Sequence, residues 1–131
     1  MSDHVLKSRV GTVHWGYFDA AEKPVLSVRS GDRVTMETIS GAPDVMPPPS
    51  SGFKIPPELL EVHAQVPRKL PGHILTGPIA IEGAMPGDVL QVDIEAIECR
   101  QDWGYNAIRP LAGALPLEFD RVRIAHIPMD R

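Results

Sequence analysis

The sequence predicts a mainly β protein: a barrel- or sandwich-like β domain with long Pro/Gly-rich loops and at most one or two short helices. Three observations predict it. The 131 residues include 14 prolines spread along the chain. Proline cannot donate to a ladder and breaks helix interiors, so short strands joined by rigid turns are favoured over long helices. Several segments alternate apolar and polar residues at the period of a strand. A turn-plus-strand unit also occurs twice, as "SGDRVTMET" and "PGDVLQVDI". In each, a Gly free to take positive φ and an Asp able to bond nearby backbone form a tight turn that launches an alternating strand. Two such pieces suit a barrel or a sandwich.

Taken in order, "VGTVHWGYFDA" (10–20) is rich in β-branched and aromatic residues, with Gly11 and Gly16 interrupting. "VLSVR" (25–29) reads as a short strand. "RVTMETI" then sets Val34, Met36 and Thr38 on one face and Thr35 and Glu37 on the other. Residues 40–57, "SGAPDVMPPPSSGFKIPP", are too dense in Pro, Gly and Ser for a regular element and predict a loop or an ordered lid. "PELLEVHAQV" (57–66) is the best helix candidate, with Pro57 suited to a first turn and Leu59, Leu60 and Val62 as its buried edge. "HILTGPIAIEGA" (73–84) predicts two short strands broken at Gly77-Pro78. "VLQVDIEAIE" is the clearest strand pattern in the chain, with Leu90, Val92, Ile94 and Ala96 on one face and Gln91, Asp93 and Glu95 on the other. "DWGYNAIRPLAGALP" (102–116) looks like a loop. "RVRIAHIPM" predicts a last strand, with Val122, Ile124 and His126 opposite Arg121, Arg123 and Ala125.

The length fits a single β-rich domain over residues 1–131. A net charge of −4 argues against nucleic-acid binding, which needs clustered Lys and Arg. No apolar run approaches the roughly 20 residues that span a bilayer. The first ten residues lack the apolar segment of a secretory signal, so the expected location is cytoplasmic, with no membrane partner. Cys99 is the one cysteine, which excludes an internal disulfide, and it reads as an ordinary semi-buried thiol.

There is no Gly-rich phosphate loop, paired-cysteine zinc signature, His-Glu-x-x-His or Gly-x-Ser-x-Gly. What remains is scattered. His14, among apolar and aromatic residues, is either a satisfied buried His or a ligand or acid/base in an aromatic-walled pocket. His73 follows Pro71-Gly72 and precedes Thr76-Gly77-Pro78. Such rigid flanks serve a preorganised site or a plain tight turn equally well. Glu37 sits where an alternating strand has an outward polar residue and reads as a solvated carboxylate. Asp102, Trp103, Tyr105 and Asn106 gather a carboxylate, an amide and two aromatic rings in one stretch. That stretch could position a substrate or plug one end of a barrel with Trp103. His4 and His126 read as bystanders.

Together, "TVHWGYFDA", "PVLSVRSGDRVTMETISG", "PGHILTGPIAIEGAMPGDVLQVDI" and "DWGYNAIRPLAGALP" resemble, in order, the N-terminal half of the acetamidase/formamidase family. The resemblance implies hydrolysis of the C–N bond of short linear amides such as formamide and acetamide. It also implies a divalent metal ion (zinc or calcium), and self-association as a homo-oligomer. By matching motifs it suggests His14, His73 and Asp44 as metal ligands and Glu37 and Asp102 as catalytic groups. Trp15, Tyr17, Trp103 and Asn106 would be walls or contacts for a small amide substrate. In such chemistry a divalent ion polarises the carbonyl and acidifies a bound water, and a carboxylate moves the proton. The family's later Gly-Asp-x-His and Gln-Gly-x-Gly-Glu motifs are absent here. The resemblance therefore implies a truncated member, one half of a split protein or a fragment, for which a missing C-terminal half would be a partner. The alternative reading is a non-catalytic structural, oligomerisation or small-molecule-binding β domain of the same family.

Overall fold

A computed structural model describes residues 1–130. They form two compact units, Met1–Gly41 with Pro57–Asp93, and Ala42–Pro56 with residues 94–130. The class is mainly β, as predicted, with one α-helix and short 3-10 turns. The strands pair in two-stranded ladders, and none closes into a barrel among the described residues.

In the first unit, β1 (Asp3–Leu6) pairs in parallel with β4 (Arg33–Met36). β2 (Val13–Trp15) is antiparallel to β5 (Ile74–Thr76), and β3 (Leu26–Val28) is parallel to β6 (Ile79–Ile81). The Gly31-Asp32 turn that feeds β4 works as its composition predicts. Gly31 takes φ +88°, and Asp32 accepts hydrogen bonds from the amides of Arg29 (3.0 Å) and Ser2 (2.7 Å). The carboxylate therefore ties the turn to the start of β1.

Beyond β2 the chain needs glycine at Gly16. Its φ is +91°, and a Cβ there would lie 2.0 Å from the Leu70 carbonyl oxygen. Only a residue without a side chain lets the two backbones approach this closely. The Gly16 amide donates to the His73 carbonyl (3.0 Å) and extends the β2–β5 pairing by one bond.

Helix α1 (Pro57–Gln65) starts at the predicted proline. Leu59 and Val62 are fully buried, but Leu60 is exposed, which corrects its predicted place on the buried edge. At about 100° per residue Leu60 turns away from the stripe that Leu59 and Val62 share. With Leu6, Trp15, Val28, Ile39 and Ile74, these two residues form the core of the first unit.

The second unit is organised by β7 (Trp103–Ile108) antiparallel to β8 (Arg123–Pro128), with 3-10 turns at Pro43–Val45 and Pro49–Ser51. Its core is built on Trp103 and Val45. β8 lies where its alternation predicts it, with Ile124 and His126 half-buried and Arg123 and Ala125 exposed.

Three expectations are corrected. Residues 103–108 form the chain's joint-longest strand, not a loop. Gly104 weakens the strand signal there, but β8 supplies the ladder, and context overrides propensity. A Cβ at Gly104 would lie 3.0 Å from the Met129 Sδ, so the glycine also makes room for packing. Conversely, "VLQVDIEAIE" forms no strand. An alternating pattern specifies a face, but a strand also needs a neighbour to bond, and among the described residues this segment has none. Cys99, finally, is exposed rather than semi-buried. No helix among the described residues is long and apolar enough to cross a membrane.

Candidate functional site

The first unit carries His14, Trp15, Tyr17, Glu37 and His73. A surface cavity of about 510 Å³ opens beside β2 and is lined by Val13, His14, Glu22, Lys23, Val25 and Pro78, among others. His14 is half-buried, and its ring lies 5.1 Å from that of Tyr17. The Tyr17 hydroxyl donates to Glu22 Oε1 at 2.5 Å. Lys69 Nζ in turn donates to the Tyr17 oxygen (2.8 Å) and sits 4.2 Å from the ring centroid.

This network fixes charge. The Tyr17 hydrogen bond holds the Glu22 carboxyl below its ordinary range, opposed by partial burial and reinforced by Lys69 and His14. The same phenol raises the Lys69 pKa, with Glu22 acting in the same direction. One wall of the cavity thus presents an ionised carboxylate near an imidazole. A carboxylate accepts N–H bonds, and an imidazole N–H can donate to a carbonyl.

Trp15 is buried, with its indole N–H bonded to the Gly72 carbonyl (3.1 Å). Its ring stacks on His63 at 5.6 Å and lies under the Arg68 guanidinium at 5.5 Å. His63 is held in turn by a bond from Nε2 to the Gly41 carbonyl (2.8 Å). Glu37 follows β4 and is half-buried. Its amide donates to the Leu6 carbonyl, and its own carbonyl accepts from Ser8 Oγ at 2.6 Å. His73 is exposed. Neither Glu37 nor His73 lines the cavity beside His14.

The second unit carries Asp44, Asp102, Trp103 and Asn106. Asp44 pairs with Arg109 at 2.8 Å, and both are exposed. Trp103 is fully buried, with its indole N–H bonded to the Lys54 carbonyl (2.9 Å) and the His126 ring edge-on at 5.9 Å. His126 Nε2 bonds the Val45 carbonyl at 2.9 Å, so this residue joins β8 to the 3-10 turn at Pro43–Val45. Asn106 is exposed on β7. Asp102 Oδ1 is buried and has no hydrogen-bond partner among the described residues. A buried acceptor without a protein donor is uncommon.

Among the described residues, no group of three His, Cys, Asp or Glu could hold a metal ion. The expected ligands His14, His73 and Asp44 therefore do not form such a group. His73 is exposed, and Asp44 belongs to the other unit and is paired with Arg109. Sequence reasoning missed Glu22 and Lys69. Glu22 lies five residues from Tyr17, and no local pattern joins Lys69 to either.

The architecture is that of a mainly β chain with a polar cavity beside its second strand. Residues 23–120 match the Acetamidase/Formamidase family, and the chain belongs to that family. It is similar to an acetamidase from Mycolicibacterium smegmatis, 47% identical over 47 residues, a stretch covering 29% of this chain and 12% of that protein. The match thus spans about an eighth of the relative's length. No solved structure matches the chain.

Proposed function

We propose that this chain takes part in hydrolysis of short linear amides, releasing a carboxylate and ammonia. The observation that carries the proposal is the family match over residues 23–120. The cavity beside His14 supports it. A primary amide offers one carbonyl acceptor and two N–H donors, and the His14 imidazole and the ionised Glu22 carboxylate are complementary to them. In this reading His14 orients the carbonyl. Glu22, kept charged by Tyr17 and Lys69, receives the amide N–H groups. Glu37 and Asp102 remain the proposed proton carriers, and Trp15, Trp103 and Asn106 the proposed determinants of substrate size and orientation. A metal ion, zinc or calcium, would supply Lewis acidity. Among the described residues no three His, Cys, Asp or Glu side chains come together to hold it. The proposed compartment is the cytoplasm.

The small share of the acetamidase that the match covers, 12%, favours a second reading. In it the chain is a non-catalytic or small-molecule-binding β domain of the family. Ammonia release from formamide, measured on the purified chain with and without added zinc, separates the two. Turnover that rises with zinc and falls by at least about tenfold in His14→Ala supports hydrolysis by this chain. A folded chain without turnover overturns standalone hydrolysis and leaves the binding-domain reading.

A further inference from the structure

A second surface cavity, of about 410 Å³, lies within the first unit and is lined by Val5, Leu6, Lys7, Arg9, Val25 and Leu26, among others. The chain runs along it from the end of β1 with the alternation of an extended strand. Leu6 and Ser8 are buried, whereas Val5, Lys7 and Arg9 are exposed. Side chains two residues apart in extended backbone share a face, so one valine and two cations stand together on the outer side.

The backbone that carries the two cations is pinned from within. Ser8 Oγ donates to the Glu37 carbonyl at 2.6 Å and lies 2.6 Å from Thr76 Oγ1. Thr12 Oγ1 accepts from the Arg9 amide (3.0 Å) and donates to the Lys7 carbonyl (2.5 Å). One buried hydroxyl thus ties Lys7 to Arg9, and another holds the residue between them to the core. Arg29 pairs with Glu82, Lys69 with Glu22 and Arg109 with Asp44, but neither Lys7 nor Arg9 has a carboxylate partner among the described residues. The apolar lining is open too: Val5 is 64% exposed and Val25 37%.

Two unpaired cations beside open apolar surface are complementary to a ligand with both characters. An anionic head accepts the Lys and Arg N–H donors, and a short aliphatic tail covers the valines. Inorganic phosphate has nothing to lay on the valines, and a neutral hydrocarbon leaves the cations unpaired. We propose that this cavity binds a small aliphatic carboxylate, with its head on Lys7 and Arg9 and its tail over Val5 and Val25. The planar carboxylate matches the guanidinium fork of Arg9. Apart from Val25, no residue that lines this cavity lines the one beside His14. The proposal does not rest on the hydrolytic reading.

The test is titration of the full chain with sodium hexanoate at fixed ionic strength, followed by residue-resolved NMR. Hexanoate is expected to saturate with a Kd of about 1 mM and to shift the amide resonances of residues 5–9, 12, 25 and 26. Acetate and inorganic phosphate, which lack the tail, should bind at least about tenfold more weakly. So should hexanol, which lacks the charge. Lys7→Gln with Arg9→Gln should weaken hexanoate binding by at least about tenfold. Lys54→Gln, at an exposed lysine that does not line the cavity, should leave it unchanged. Circular dichroism checks that each variant folds, and if the double variant does not, the wild-type shift pattern and the ranking of the four ligands decide. Phosphate or hexanol binding as tightly as hexanoate, no saturation by about 10 mM, or a folded double variant that binds like the wild type would each overturn the proposal. So would shifts confined to other residues, whether around His14 or along 89–97.

Discussion

The Asp32 carboxylate is held in its ionised form by three donors. The Arg29 amide, His4 Nε2 at 3.0 Å and the Ser2 amide all donate to its carboxylate and hold its pKa far below the ordinary 3.8. Two of the three donors are backbone groups, so the carboxylate closes the turn and anchors the first residues of β1. The folded-state pKa is depressed, so the ionised form stabilises the folded state above the unfolded pKa, and that contribution is lost as pH falls through the folded value. Asp32→Asn is therefore expected to lower the melting temperature at pH 7. The gap to wild type should narrow as pH drops below about 3.8. Thermal denaturation of both proteins from pH 7 to pH 2 checks it. A gap that does not change with pH would mean that the side chain acts by shape and not by charge. This residue was legible in the sequence, because Gly-Asp after a small residue is a turn with a mechanism. The Tyr17–Glu22–Lys69 network was not. It depends on a lysine brought from 52 residues away, and no spacing rule reaches that far.

At the scale of elements, α1 gives the sharpest test of packing. Leu59 is fully buried, whereas its neighbour Leu60 is half exposed. Leu59→Ala removes a side chain from a filled core and should cost about 2–5 kcal/mol. Leu60→Ala should change stability by no more than about 0.5 kcal/mol. Urea denaturation of the two variants compares them directly, and equal losses would mean that the helix is rotated from the face described. The proline at position 57 and the helical period located this element correctly. The same pattern reasoning failed at two strands for one reason. It placed a strand at residues 89–98, where the alternation is strong but a neighbour is lacking, and read a loop over 102–116, within which residues 103–108 alternate weakly but find a neighbour in β8. A strand is a property of a pair, and one segment of sequence holds only half of that information. The candidate site shares this limit. His14 and Tyr17 lie close together in sequence and are close in the fold, whereas Lys69 reaches Tyr17 from far along the chain.

For the molecule as a whole, the difference between the two turn-plus-strand units is a difference in which amides are protected. Residues 89–97 have no ladder partner among the described residues. Their amides should exchange with solvent nearly as fast as in an unfolded chain, while those of β4 that face β1 and those of β7 that face β8 are protected. Residue-resolved hydrogen exchange measures both. Along a ladder only every second residue points its N–H at a given neighbour, so protection at alternate residues of 89–97 would mean that the segment holds a strand partner after all. Uniformly fast exchange over 89–97 would mean that the second turn launches a segment without the neighbour that β1 provides for β4.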